Sequence, residues 1–333
     1  MTILLELAGV SRRFTKPLDA AARLANLLGA RQREQVVHAV DRVDLAISAG
    51  EVVGLVGESG CGKSTLGRLA VGLLAPDQGT RKWRGNDLAG LQGAAARAAQ
   101  LKIQMIFQDP YASLNPRMRV LDIVGEAPLV HGLIRADQQA DHVAALLARV
   151  GLDGSMARRF PHQFSGGQRA RIGIARALAV RPEFIVCDEA VAALDVSIQA
   201  QVLNLFMRLR AEFGLTYLFI SHDLGVVRHL SDRVVIMYLG RVVEAASTSD
   251  IFRRANHPYT QALLSEVPSL GKRKRDYVPI KGEIPSPLDP PPGCHFHPRC
   301  PHAGPRCAAQ APILKAIGGG HVSACHLNDG GTA

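Results

Sequence analysis

The stretch Gly57–Thr65, GESGCGKST, satisfies the spacing G-x-x-x-x-G-K-[ST] at every fixed position. Such a segment works only between the end of a buried strand and the start of a helix, where successive N–H groups can converge on phosphate oxygens. The flanking residues meet that demand. Val52–Val56, VVGLV, is a short β-branched apolar run, and STLGRLAVGLL after the glycines carries apolar residues at helical spacing. Gly57, Gly60 and Gly62 are read as positions whose backbone angles a side chain would forbid. Lys63 is expected to reach the β and γ phosphates of a nucleotide and Ser64 its Mg²⁺. Glu58, Ser59, Cys61 and Thr65 complete the nucleotide-binding loop. An ordinary glycine-rich turn explains neither the strand before it nor the helix after it.

A chain of 333 residues, 47% of them hydrophobic, has apolar material for an α/β domain of roughly 250 residues and a smaller appendix. Ile3–Val10 and Val43–Ile47 read as strands on either side of an Ala-, Leu- and Arg-rich segment, Lys16 to Gln35, taken as an inserted loop or short helix. Three further apolar strands follow: KIQMIFQ ending at Gln108, FIVCDE ending at Glu189 and TYLFISH ending at His222. Each ends in a polar residue. In an open parallel sheet, ligands sit beyond the carboxyl ends of the strands, so Gln108, Asp188, Glu189 and His222 are expected to share one crevice with the glycine loop. Asp188 and Glu189 suit a pair in which the first carboxylate helps hold Mg²⁺ and the second activates water. Taken alone, the same two residues also read as solvated strand-end acids.

Between Asp109 and Val180 the apolar residues fall at helical steps, as in DHVAALLARVGL, and predict a helical subdomain. After Val243 come HPYTQALLSEVP, the basic run Lys272–Arg275 and the proline-rich PSPLDPPPG from Pro285. That composition predicts a linker or an irregular small module. The basic run reads as a solvated linker face. The chain opens MTILLELAGVSRRF without a basic leader, and no run of about 18 uncharged apolar residues occurs. Neither export nor membrane spanning is expected.

The run SGGQRARIGIARAL from Ser165 resembles the signature of ATP-binding cassette (ABC) proteins. A helix start bearing Ser165, Gly166, Gly167 and Gln168 offers N–H groups, a hydroxyl and positive dipole to a second phosphate cluster. A plain N-cap explains the serine but not the paired glycines. The resemblance extends through QDPYASLNPR from Gln108, LDVSIQAQVLNL from Leu194, HDLGVVRHLSDRVVIMYLGRVVE, HPYTQALLSEVP and PPGCHFHPRCPHAGPRC. Together these are similar to the ATPase subunits of bacterial oligopeptide and dipeptide importers, most like the second of their two cassettes.

The resemblance implies an α/β P-loop NTPase with a mostly parallel core sheet, an antiparallel β portion, a helical subdomain and a small Cys-containing extension. The ATP-binding core is assigned to residues 1–108 and 181–250, the signature subdomain to 109–180 and the extension to 251–333. Two cassettes then face each other, each ATP lying between the loop of one and the signature of the other. In the family roles, Gln108 contacts Mg²⁺ and the water region, with Ser64 and Asp188 as the other Mg²⁺ ligands. Glu189 is the base, His222 contacts the γ phosphate, Asp195 faces the partner and Phe14 stacks on adenine. Plain packing explains Phe14 almost as well. Two positions depart from the family pattern: Ala190 stands where proline is usual and Ala192 where serine is usual. In the dimer-facing loop the first leaves the backbone less restricted and the second removes one hydrogen-bonding hydroxyl, and hydrolysis is expected to survive.

The implied partners are a second ABC ATPase, two membrane permeases and, indirectly, a substrate-binding protein, at the cytoplasmic face of the bacterial inner membrane. Cargo other than peptides, such as nickel, remains open, because a cassette does not touch what is carried. The excess of 39 Lys and Arg over 29 Asp and Glu, a net +10, also admits an ABC ATPase acting on nucleic acid or ribosomes. Against that alternative, the chain carries one cassette and no long coiled-coil insertion, and no nucleic acid partner is expected. Cys294, Cys300, Cys307 and Cys325 lack the two-residue spacings of zinc ribbons. Related subunits carry an iron–sulfur cluster here, so a [4Fe-4S] cluster is expected, with structural thiols or zinc as the alternatives. His295, His297, His302 and His326 nearby are the alternative ligands, but they are expected to be solvated.

Overall fold

The computed structural model describes residues 2–18, 26, 34–266 and 282–329. The segment between Lys16 and Gln35 lies largely outside the described residues, and the basic run Lys272–Arg275 lies wholly outside them. In chain order the strands are β1 (Ile3–Lys16), β2 (Gln35–Ser48), β3 (Val52–Val56), β4 (Gln78–Trp83), β5 (Asn86–Asp87) and β6 (Ile103–Ile106). They continue as β7 (Phe184–Asp188), β8 (Thr216–Ile220), β9 (Arg233–Tyr238), β10 (Arg241–Ser247), β11 (Lys315–Gly318) and β12 (His321–Ser323). The helices that matter to the site are α1 (Lys63–Val71), α2 (Gly93–Lys102), α3 (Val120–Val130), α4 (Gln139–Arg149), α5 (Gly166–Leu178) and α6 (Val196–Phe213). Three more follow: α7 (Leu224–Leu230), α8 (Thr248–Arg254) and α9 (Pro258–Ser265).

Two sheets organise these elements. An antiparallel sheet runs β2-β1-β4-β5, and a larger mixed sheet runs β11-β12-β10-β9-β3-β8-β7-β6. Within the larger sheet β9, β3, β8, β7 and β6 are mutually parallel, whereas β10, β12 and β11 join antiparallel. The five-residue strands β3, β7 and β8 are buried at every position. Strands covered on both faces read as unbroken apolar runs, which is why period-two alternation is missing from their sequences.

The period appears instead in what each face touches. Phe184 and Val186 of β7, with Leu218 and Ile220 of β8, pack toward α1 and the antiparallel sheet. Ile185, Cys187, Tyr217 and Phe219 pack the other way, onto Val124 of α3, Leu147 of α4, Ile172 of α5 and Phe206 of α6. Helix α1 therefore lies sandwiched between two sheets.

The described part of the C-terminal extension carries regular structure after its proline-rich stretch. Pro285–Gly293 holds no helix or strand, and beyond it β12 pairs with β10 and β11 with β12, so this part of the extension lengthens the central sheet. Its anchor is Glu244 of β10, fully buried. The carboxylate accepts from the Asn256 and His257 backbone N–H groups at 2.7 and 3.0 Å, and its Oε1 lies 2.6 Å from His321 Nε2. A buried carboxylate is tolerable only when its oxygens are satisfied this fully. His295 and His326 are buried, at 7% and 5% exposure, so the expectation that they are solvated fails. The extension folds inward there: His295 Nδ1 lies 3.0 Å from the Leu239 carbonyl and His326 Nε2 lies 2.9 Å from that of Gln310.

His257 caps α9 by accepting from the Tyr259 N–H at 3.1 Å, and burial holds its pKa down at about 4. Unfolded histidine titrates near 6.5, so between those pH values the unfolded chain binds a proton that the folded chain refuses. Stability thus rises with pH through that window and is fully present above it, a term on the order of 3 kcal/mol. The melting temperature is expected to fall as pH drops from about 7 toward about 5. In His257→Asn, which keeps a capping acceptor without a titrating group, a shallower fall is expected; scanning calorimetry across that range is the check.

Candidate nucleotide site

The loop Gly57–Gly62 leaves β3, turns, and feeds α1, which begins at Lys63. No side chain caps this helix, whose N-cap is Gly62 at φ 103°. Its first-turn N–H groups are therefore open to an anion. The three glycines serve different ends. Gly60 and Gly62 have φ of 78° and 103°, as expected for residues that need freedom from a Cβ. Gly57 does not adopt the left-handed region; a Cβ there would stand 2.1 Å from the Met237 carbonyl oxygen. Its requirement is space, not angle. Gly62 carries both demands, since its Cβ would stand 2.0 Å from the Ala39 carbonyl oxygen.

Lys63 is 5% exposed, and its ammonium donates to the carbonyls of Gly57 at 2.7 Å and Glu58 at 2.9 Å. It is folded back on the loop rather than extended. Ser64 donates its hydroxyl to Asp188 Oδ1 at 2.8 Å, which joins the loop to the end of β7. Asp188 is 3% exposed, and burial raises its pKa, opposed by the Ser64 hydrogen bond and by Arg68. A hydroxyl and a carboxylate held together are hard oxygen donors suited to Mg²⁺, whose charge would reverse that upward pressure. Ser59 and Gly60 are exposed, Thr65 is half-buried, and Cys61 is buried, which pushes its thiol pKa up.

The three strands end sooner than their sequences imply, at Ile106, Asp188 and Ile220, so Gln108, Glu189 and His222 lie just beyond them. The convergence nonetheless exists. Gln108 Nε2 donates to Glu189 Oε2 at 2.7 Å, and His222 Nδ1 lies 3.4 Å from Glu189 Oε1. Glu189 has φ 47°, a left-handed conformation that costs a non-glycine residue on the order of 1 kcal/mol or more. The turn is pinned by its own N–H, which donates to the Ile220 carbonyl at 3.0 Å. The kink separates the two acids: Asp188 is directed to Ser64 and Glu189 to Gln108 and His222.

Other candidates stand apart from this cluster. Ser165 caps α5, accepting from the Gln168 N–H at 3.3 Å while the Gln168 side chain accepts from the Ser165 N–H at 3.0 Å. The positions a Cβ would take on Gly166 and Gly167 neighbour Leu194, Tyr111 and Ile198, not the glycine loop. Arg169 stacks on the Tyr111 ring at 3.9 Å, and Arg176 donates to the Ser113 carbonyl at 2.5 Å, tying the segment after Gln108 to the signature helix. Asp195 is the exposed N-cap of α6, and its side chain bonds none of the helix's N–H groups. Phe14 on β1 is 38% exposed with the Arg12 guanidinium 5.2 Å above its ring, and it pairs with Val37, two residues before Ala39.

Cys294, Cys300, Cys307 and Cys325 are free thiols lining one cavity of about 10 Å³, room for about one water. Among the described residues, no three His, Cys, Asp or Glu side chains converge closely enough to share a metal ion.

Two residues of the extension reach the loop without having been singled out in the sequence. Arg299 grips the Glu58 carboxylate, and the Tyr259 hydroxyl accepts from the Glu58 N–H at 2.8 Å. One signal was legible: Glu58 is the only carboxylate in the loop, and an acid beside a phosphate site calls for a cation.

Two family models match the chain, ABC transporter over residues 40–192 and Oligopeptide/dipeptide transporter, C-terminal region, over residues 243–307. The oligopeptide transport ATP-binding protein AppF of Bacillus subtilis is 53% identical over 87% of this chain and 90% of its own length. OppF of Salmonella typhimurium, named likewise, is 49% identical over 85% and 86%. Among solved structures, the dimeric post-hydrolysis ATP-binding cassette MJ0796 bound to ADP and Pi superposes with a TM-score of 0.61. It is 27% identical and covers 74% of this chain and 99% of that one. 

Gly57→Ala and Gly60→Ala separate space from angle. Gly57→Ala is expected to lower the melting temperature by several degrees and abolish stabilisation by MgATP, while Gly60→Ala, where a Cβ meets open space, loses only about 1 kcal/mol. Thermal shift with and without MgATP measures both. Glycine loop, Mg²⁺-suited oxygen pair, kinked acid, SGGQ-capped helix and matched extension all agree: the chain belongs to the ABC transporter ATP-binding subunits of the oligopeptide/dipeptide type.

Proposed function

We propose that this chain hydrolyses ATP to energise import of di- and oligopeptides through a separate membrane permease. The observation that carries the reading is the meeting of Gln108, Glu189 and His222 beside the Ser64–Asp188 pair. The matched C-terminal region and the names of the relatives support peptide cargo over nickel, and nothing among them favours nucleic acid. No helix among the described residues is long and apolar enough to cross a membrane, in keeping with a subunit peripheral to the cytoplasmic face of the bacterial inner membrane.

In this reading ATP phosphates take the place of the Gly57 and Glu58 carbonyls as partners of the Lys63 ammonium. Ser64, Asp188 and Gln108 would hold Mg²⁺, which when bound would supply positive charge against the phosphates. Gln108 already spends its amide nitrogen on Glu189, so its carbonyl end is the one available to a cation. Glu189 accepts a proton from the attacking water, and its kinked backbone turns that carboxylate away from the Ser64–Asp188 pair and toward Gln108 and His222. His222, with a side chain 60% exposed, contacts the γ phosphate. Ser165–Gln168 serve the nucleotide of a partner cassette: the serine's hydroxyl oxygen is occupied by the cap, leaving its O–H to donate. Asp195 faces that partner and Phe14 receives adenine. A second ABC ATPase in a heterodimer, two permeases and a substrate-binding protein complete the assembly.

Ala190 is buried, and the Glu189 kink forms without the proline usual after it. Hydrolysis is therefore expected in the assembled transporter. Glu189→Gln should bind MgATP, lower kcat by about 10²–10⁴-fold and trap the closed dimer; rapid turnover by this variant would remove Glu189 from the base role.

The four thiols of the extension support a [4Fe-4S] cluster held by Cys294, Cys300, Cys307 and Cys325. The support is that the four thiols line one cavity, and four cysteine thiolates are the ligand set such a cluster takes. The cavity must widen to admit it. When bound, such a cluster would cross-link four points of the extension. Protein purified without oxygen is expected to carry iron and acid-labile sulfide in equal amounts; colourless, iron-free protein would sink the assignment.

A further inference from the structure

Glu58 is an unexpected residue in a loop meant for phosphate. Its carboxylate stands at the mouth of an anion site, and uncompensated it would repel the ligand. Arg299, from the far end of the chain, compensates it with two parallel bonds, Nη1 to Oε2 at 2.8 Å and Nη2 to Oε1 at 3.0 Å. The pair is sheltered, with side chains 6% and 19% exposed, so solvent screens it little. The backbone of Glu58 is equally committed. Its N–H donates to the Tyr259 hydroxyl, and its carbonyl accepts from the Lys63 ammonium.

Arg299 and Tyr259 are braced by packing and hydrogen bonds. Arg299 Nη1 also donates to the Tyr238 hydroxyl at 3.3 Å, and Tyr238 packs on Tyr259 and Phe296 with ring centroids 4.6 and 5.3 Å apart. Tyr238 follows Met237, whose carbonyl is the oxygen that forbids a Cβ on Gly57. One aromatic cluster thus backs both the first glycine of the loop and the residue after it.

We propose that Arg299 and Tyr259 are positioning residues of the ATPase: through Glu58 they set the loop that carries Lys63, so that nucleotide affinity depends on the docked C-terminal extension. The inference rests on the nucleotide-site reading above and assigns the extension a part in the ATP site itself. Arg299 removes a repulsive charge and Tyr259 fixes the direction of one peptide plane. Neither touches the reacting atoms.

The test measures MgATP binding by the full-length chain and steady-state hydrolysis in the assembled transporter. Arg299→Met is expected to weaken MgATP binding by about tenfold or more, raising KM with kcat little changed. Adding Glu58→Gln to Arg299→Met is expected to recover most of the affinity, because the uncompensated charge is gone. A merely structural loss would not be recovered this way. Arg299→Lys, which keeps the charge and loses the fork, is expected to fall between. Tyr259→Phe preserves the aromatic packing and removes one hydroxyl, and about a threefold or larger loss of affinity is expected. If Arg299→Met does not fold, Arg299→Lys and Tyr259→Phe decide the matter. Wild-type affinity in those two variants, or a loss in Arg299→Met that Glu58→Gln fails to rescue, overturns the inference. A wild-type chain that binds no MgATP would instead overturn the nucleotide-site reading.

Discussion

The glycine loop sits where two sheets meet, and the closeness of that meeting constrains the rest. On one side the Ala39 carbonyl of the antiparallel sheet abuts Gly62, and on the other the Met237 carbonyl of the central sheet abuts Gly57. Backbone bonds close the junction: Gly240 N–H donates to the Cys61 carbonyl and Asp41 N–H to the Gly240 carbonyl, each at 2.9 Å. With no room for a Cβ on either face, the loop's shape is set by its walls as well as by its own torsions. α1 then has one direction open to it, between the sheets. Leu66, Leu69 and Ala70 bury there against both.

From that junction the polar machinery spreads along strand ends. Ser64 reaches across to Asp188, and the left-handed turn at Glu189 divides two neighbouring carboxylates between two tasks. Adjacent residues of a regular strand would also point to opposite faces, one of them into the core. The kink instead keeps both at the crevice, at the cost of a strained torsion that the bond to Ile220 holds in place.

Much of this is legible in the sequence alone. The loop, its strand and its helix are local in sequence, so their periodicities and glycines declare them. Gln108, Asp188, Glu189 and His222 were found through a topological rule, that parallel strands deliver their ends to one crevice, and they meet as that rule requires. What escaped was non-local. Nothing near Gly57 in sequence reveals that a carbonyl, not a torsion, excludes its side chain. The inward folding of His295 and His326 depends on strand pairing and docking that the proline-rich composition of the extension conceals. Arg299 hid for the same reason: a contact spanning 241 residues leaves no periodic trace.

That span also orders events during synthesis. Chains emerge N-terminus first and domains fold as they appear. Every motif of the generic cassette, from the glycine loop to the histidine after β8, is made before Arg299 exists. Until the extension docks, Glu58 stands uncompensated beside the phosphate site and weakens its hold on nucleotide. The cassette thereby acquires its full grip on ATP only after the extension has been made and docked, and a product terminated before Arg299 needs more nucleotide to turn over at the same rate.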